Sequence, residues 1–460
     1  VLSEESSARR DNSKAVTELE KRIHSSSKEQ VIEQVAYTWF NRFTALQYMD
    51  INGFNSVRVI APLEGNSQPE ILSNAIAGDF NDKFVSEKTR DRVNALLDGS
   101  LASNDYQKEV YQLLIIDVCN KLHYILPFMF ESISDYTELL IPNDLLSPTS
   151  IVAQVRNALT VENCKDVEVL GWLYQFYISE KKDEVFALLK KNQKITPENI
   201  PAATQLFTPH WIVKYLVENS LGRLWMLNNP NSKLSEQMEY YIAPEECDED
   251  FLKITSPEEI KICDPSCGSG HMLTYSFDLL YSIYEEQGYA AASIPTLILK
   301  NNLYGIEIDL RAGQLSAFAL TMKAFEKDRR FVRNIVQPNI CDLENIKFEP
   351  HEINNYMNAV GRDLFTHPFE TTLKQFEESD NFGSLIEPAL KNVDDIRDIL
   401  IKKDLSTNIF LNSTHNRVLK VLHQSDYLRQ KYHVVITNPP YMGSRGMNNR
   451  LSVFAKDNYS

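Results

Sequence analysis

The stretch "IKICDPSCGSGHMLTYSFDLLYSIYEEQG", residues 260–288, points to one fold class. A short apolar run ends at Asp264, a tight Pro-Ser-Cys-Gly-Ser-Gly turn follows, and a helical pattern then places Met272, Leu273, Phe277, Leu280 and Ile283 toward one side. A strand, a glycine turn and a helix in that order form the opening unit of a doubly wound nucleotide-binding fold. The pattern is neither the G-x-G-x-x-G dinucleotide fingerprint nor a phosphate loop with its Lys and Ser/Thr.

Downstream, "NNLYGIEIDLRAGQLSAFALTMKAFEK" repeats the unit, with a strand ending at Glu307 and Asp309. "NIVQPNICDLENI" supplies a third strand ending near Asp342, and "YHVVITNPPY" a fourth ending near Asn438. About ninety residues separate the last two strands, roughly three times what a crossover needs. A helical insertion is therefore expected at about 350–425.

Upstream, "QLFTPHWIV" opens a helix for which Thr208 is a good N-cap and Pro209 suits the first turn. Earlier still, "VIEQVAYTWFNRFTALQYMD" carries an amphipathic stripe through Val31, Val35, Trp39, Phe43 and Leu46. Further helical patterns follow, so residues 30–195 are expected to form a mostly α-helical domain, residues 1–29 a polar tail, mobile or a frayed helix, and residues 196–460 an α/β core.

The 460 residues exceed what one hydrophobic core usually serves. No apolar run approaches the roughly 18 residues of a membrane span, and the first residues lack a signal-peptide core. The six cysteines are scattered, as in free thiols of a reducing cytoplasm. Cys263 and Cys267 lie close together, but no His or second Cys pair completes a zinc site, so no metal is expected. A formal net charge of −16 argues against a chain coated with phosphate-binding residues, though it leaves room for a local basic surface.

In an open parallel sheet ligands bind beyond the carboxyl ends of the strands. Those ends carry Asp264 with the loop Pro265, Cys267, Gly268 and Gly270, then Glu307 with Ile308, then Asp342, then Asn438. The two glycines would let backbone approach a ligand closely. Glu307 suits two ribose hydroxyls and Asp342 an exocyclic adenine amine, since carboxylates accept such bonds. Acids at three strand ends favour a cationic sulfonium nucleoside over a polyphosphate. Asn438-Pro439-Pro440-Tyr441 supplies the rest. The Asn side-chain oxygen and the Pro439 carbonyl can accept both hydrogens of a planar amine, and a pyramidal nitrogen can then aim its lone pair at a methyl group. The prolines hold the acceptors in place. Tyr441 offers a face to a flipped base.

These motifs, "FTPHWIV", "DPSCGSG", "GIEID", "CDL" and "NPPY", together resemble the amino-group S-adenosylmethionine-dependent DNA methyltransferases of the adenine-N6 kind. Longer stretches, such as "AYTWFNRFTALQYMD", "GWLYQFYISEKKDEVF" and "NPPYMGSRGMNNRLSVFAKDNYS", resemble the adenine-specific methyltransferases of BREX phage-defence systems from about residue 30 onward. The resemblance implies a Rossmann-like α/β methyltransferase core, here with an incomplete sheet, and S-adenosyl-L-methionine as cofactor. It assigns Thr208, Asp264, Pro265, Cys267, Gly268, Gly270, Glu307, Ile308 and Asp342 to the cofactor and the Asn438–Tyr441 loop to catalysis. It further implies methylation of an adenine in double-stranded DNA as a mark of self, with other BREX subunits as partners. Family members continue far past NPPY into a DNA-reading domain, so this chain is expected to be an amino-terminal part. Many relatives carry Asp where this chain has His433. Two alternatives stay open: an amino-group methyltransferase acting on protein or RNA, and a cofactor-binding scaffold without activity.

Overall fold

The computed structural model describes residues 1–3, 6–25, 27–130, 136–206, 208–244, 250–362, 367–403, 405 and 408–459. The chain divides into two compact units, Val1–Leu170 and Gly171–Ser460. The division falls inside helix Val169–Lys190, earlier than the change of texture near residue 195. The reason lies in the core: Val185 and Ile195 pack with Ile200, Ala202 and Leu451 of the second unit.

The regular elements described in the first unit are helices, joined by turns and one isolated bridge between Pro62 and Pro69. Its central helix, Lys28–Ile51, begins at Ser27, whose hydroxyl accepts from the Gln30 amide at 3.2 Å. From Asn41 to Asp50 every residue is buried. Of the two forms expected for the preceding polar residues, the helix is present, and it is packed. Helix Ser13–Ser25 buries Ala15, Val16 and Leu19, a narrow apolar face diluted in sequence by charges around it.

The second unit contains a four-stranded, all-parallel sheet in the order β3-β2-β1-β4. The strands are β1 Ile262–Asp264, β2 Leu303–Glu307, β3 Asn339–Asp342 and β4 Val434–Val435. Asp264 pairs in register with Gly305, and Glu307 with Asp342. Helices His271–Glu286 and Leu310–Lys327 follow β1 and β2, and the first buries the apolar residues expected of it. β4 is short, with Val434 buried and Val435 60% exposed. The strand order reverses between β1 and β4, which opens the crevice where such sheets bind ligands.

The insertion is more than an excursion. Helices Pro350–Val360, His367–Gln375, Val393–Ile401 and Ile409–Arg429 occupy it. Their Tyr356, Phe369, Leu400 and Val421 share one core with Cys263, Ile306 and Cys341 of the strands. The insertion therefore forms a packed layer on the sheet.

Candidate active site

A cavity of about 350 Å³ opens at the carboxyl ends of β1, β2 and β4. The Gly loop forms its floor. Gly268 and Gly270 have φ of 53° and 91°, in the left-handed region that favours glycine. Their roles differ. A Cβ at Gly268 would meet nothing within 4 Å, so its backbone faces open space. A Cβ at Gly270 would meet Ser316 Oγ at 2.6 Å, and Gly270 does not line the cavity. Gly270 thus serves the close packing of helix Leu310–Lys327, not a ligand's approach.

Pro265 and Cys267 line the cavity with Gly268. The Cys267 amide donates to the Ile306 carbonyl at 3.0 Å, tying the loop to β2. Burial first, then the Glu307 and Asp264 carboxylates, push the Cys267 thiol well up, which keeps it an inert packing group.

Glu307 is buried, and its carboxylate organises the loop. Oε2 accepts from the Gly268 amide at 2.7 Å, while Oε1 accepts from the Ile308 and Asp309 amides at 2.9 and 3.0 Å. A carboxylate has about four acceptor sites. Three are used, so Oε2 has room for one ribose hydroxyl directly, short of the two separate bonds expected from sequence. Ile308 supplies an apolar wall beside it.

Asp264 accepts from the Ser266 amide at 3.1 Å and from the Thr437 side chain, and the Ser266 and Thr437 hydroxyls lie 2.6 Å apart. These bonds fasten the β1 loop to the residue before Asn438. Burial pushes the Asp264 carboxyl up to about 7 against the pull of those hydrogen bonds. Burial likewise pushes Glu307 up to about 7. Asp342 rises to about 8, from burial first and then the charges of Glu307, Glu344 and Asp309.

Asp342 does not line the cavity, and its Oδ1 is buried against Gly313 with no hydrogen-bond partner among the described residues. Packing thus sets it apart from the residues that its strand-end position suggests as companions.

Thr208 holds an unexpected position. Helix His210–Val217 begins after Pro209, which occupies the N-cap position, and no side chain caps it. Thr208 therefore does not cap that helix. Its buried hydroxyl instead accepts from Asn438 Nδ2 at 3.1 Å. With its NH₂ so engaged, the Asn438 amide has a defined orientation and an oxygen available to accept. Pro439 and Pro440 line the same cavity. Tyr441 does not, and it is 71% exposed.

Other lining residues lie outside the strand-end motifs. Tyr174 of helix Val169–Lys190 donates to Asp309 Oδ2, and Gln205 Nε2 donates to the same oxygen at 3.2 Å. Segment 381–385 of the insertion closes another side. A Cβ at its Gly383 would meet Ile308 Cγ2 at 3.3 Å, and the Phe382 ring stacks on Phe454 with centroids 4.2 Å apart. Phe454 belongs to helix Asn449–Tyr459, beyond the NPPY loop. Asn448 Nδ2 and Arg450 reinforce this closure through Asn381 Oδ1 at 2.7 Å and Glu378 at 2.5 Å. No sequence signal marks such pairings, which join segments distant in the chain.

The donor set suits a cationic nucleoside: buried carboxyls held above their usual range, an open glycine and an apolar wall. Ionising those carboxyls becomes easier beside a positive charge. Among the described residues no three His, Cys, Asp or Glu side chains group as metal ligands, and no helix is long and apolar enough to cross a membrane.

Residues 301–460 match the family described as Eco57I restriction-modification methylase. The chain is 37% identical to the adenine-specific methyltransferase BrxX of Escherichia coli O9:H4 (strain HS), over 96% of this chain and 38% of that protein. It is 32% identical to the adenine-specific methyltransferase PglX of Lacticaseibacillus casei (strain Zhang), over 93% of this chain and 37% of that protein. The chain thus spans under two fifths of the length of these curated relatives.

Proposed function

We propose that this chain, a homologue of the adenine-specific methyltransferases BrxX and PglX over most of its length, is the cofactor-binding and catalytic part of an adenine-N6 DNA methyltransferase of a BREX-type defence system. The sheet and its flanking helices are on this reading a Rossmann-like methyltransferase core. The substrate is double-stranded DNA with the target adenine flipped out, the setting is cytoplasmic, and other defence subunits are partners.

S-adenosyl-L-methionine would supply an electrophilic methyl group. Glu307 Oε2 and the open backbone at Gly268 are the groups to hold its ribose, with Ile308 and Phe382 as apolar walls. Asp264 fastens the loop. Asn438 Oδ1 and the Pro439 carbonyl accept the two amine hydrogens of adenine and favour a pyramidal nitrogen. No strong base is needed first, because the amine loses its proton only as positive charge builds on it. Thr208 acts through Asn438 by holding the amide NH₂, and the prolines limit movement of both acceptors. Positioning supplies most of the rate. Tyr441, exposed beside the loop, offers its face to the flipped base.

The observation that carries this reading is the 3.1 Å bond from Asn438 to Thr208 in one cavity with Glu307 and Gly268. It brings the amine-accepting loop to the groups suited to the cofactor. To test it, the full-length protein is incubated with labelled S-adenosylmethionine and unmodified host DNA, RNA and protein in separate reactions. The expected result is label in DNA that disappears with Asn438→Ala. Label in protein or RNA alone would sink the reading, as would binding of cofactor with no transfer at all.

A further inference from the structure

The catalytic loop is followed at once by a run without acids. Between Tyr441 and Lys456 the sequence contains Arg445, Arg450 and Lys456 and no Asp or Glu. A second such run, Lys190 to Lys194, contains three lysines and no acid. These runs stand out in a chain with 63 acidic and 47 basic residues.

The fold brings the two runs together. Lys194 Nζ donates to the carbonyls of Arg445 at 2.8 Å and Ser444 at 3.3 Å. The Ile195 amide donates to the Gly446 carbonyl at 3.1 Å. Ile195 is buried, so this clasp is anchored in the core, while Lys190, Lys191, Lys194 and Arg445 are exposed. Arg450 is partly neutralised by Glu378 at 2.5 Å. The Lys194–Arg445 clasp therefore lies on the loop between Met442 and Met447, which line the cavity, with Lys190 and Lys191 close in sequence and the carboxylates of Glu198, Glu378 and Asp380 grouped nearby.

We propose that Lys190, Lys191, Lys194 and Arg445 form the surface on which the phosphodiester backbone of the DNA strand carrying the target base lies. This rests on the adenine-methyltransferase reading above and adds to it a place for the strand. With a net charge of −16, the chain as a whole repels DNA. A strand reaching the NPPY loop must be held by local positive charge. Lysines contribute as flexible point charges that neutralise phosphates without reading sequence. The surface thus contributes affinity and salt dependence, and choice of site lies elsewhere.

The test uses full-length protein and a duplex of random sequence, with binding measured between about 50 and 200 mM salt, where phosphate neutralisation shows as a steep salt dependence. The variant is Lys190→Gln/Lys191→Gln/Arg445→Gln, which leaves Lys194 and its clasp intact. The slope of log K against log salt is expected to become shallower by about 0.9 for each phosphate no longer neutralised, so by up to about 2.7. Cofactor affinity and melting temperature are expected to stay at wild-type values, which shows that the variant is folded. A variant so folded with an unchanged slope overturns the proposal. Should that variant unfold, Lys191→Gln alone is read the same way, with an expected change of about 0.9. Failure of the parent reading is separately visible as the absence of methyl transfer from wild-type protein to DNA.

Discussion

Replacing Thr208 by Val removes one hydroxyl and little volume. In the structure that hydroxyl accepts from Asn438 Nδ2 at 3.1 Å in a site where Thr208 is buried. The Asn438 amide then loses the anchor of its NH₂ group, and because this bond is only part-buried, water can take the place of the hydroxyl. A hydrogen bond of this kind contributes about 0.5–1.5 kcal/mol net. If that energy is lost from the orientation needed in the transition state, turnover falls about two- to tenfold. The assay is single-turnover methyl transfer at saturating cofactor and DNA, with cofactor affinity measured separately by calorimetry. Thr208→Ser keeps the hydroxyl and is expected to retain most of the rate. A loss confined to cofactor affinity would return Thr208 to the cofactor-binding role its motif suggests and remove it from the positioning of Asn438. Wild-type turnover in Thr208→Val, or a serine variant as slow as valine, would do the same.

Three further outcomes follow from the same geometry. Cofactor affinity should rise between about pH 6 and pH 8, because a sulfonium favours the ionised forms of Asp264 and Glu307, each held at about 7; calorimetry at several pH values, with proton release on binding, checks this. Without cofactor the sign reverses. Asp264, Glu307 and Asp342 are raised above unfolded values of about 4, so the stability they contribute is full below about pH 4 and is lost as pH rises through about 7 to 8. Thermal melts of the ligand-free protein should therefore fall from about pH 5 to pH 8, and Asp342→Asn should flatten that fall; a slope the same as wild type would count against the burial of Asp342. Gly270→Ala should destabilise by about 1–3 kcal/mol in denaturant titration, from its φ of 91° and the close Ser316 hydroxyl.

The strand ends are legible in sequence because each couples a short apolar run to a polar terminus. Asp264, Glu307 and Asp342 do end β1, β2 and β3. The helix after the Gly loop is legible from its periodicity. What escapes is set by tertiary packing. Thr208 carries the local signature of a cap, yet its hydroxyl is claimed by Asn438, 230 positions away. Asp342 sits at a strand end like its neighbours, but packing turns it toward Gly313. Gly270 looks like a ligand glycine because a positive φ and the same loop are shared with Gly268, and only the neighbouring Ser316 reveals its other task. Phe382 and the residues around it lie in an insertion with no motif, and they close the cavity wall through stacking on Phe454. The packing of helix Ser13–Ser25 is hidden by its many charges, although three small or aliphatic residues suffice to bury one face.

If the Asn438 loop and the Glu307 end of the sheet serve one reaction on adenine, the product itself reports it. Full-length protein is given isotopically methyl-labelled S-adenosylmethionine and unmodified DNA for a single turnover. The DNA is then digested to nucleosides and the labelled nucleoside identified by mass spectrometry. Label is expected in N6-methyldeoxyadenosine for wild type and in no nucleoside for Asn438→Ala, with cofactor binding retained. Label in any other nucleoside, or undiminished N6-methyldeoxyadenosine from Asn438→Ala, would be incompatible with a shared site for the two.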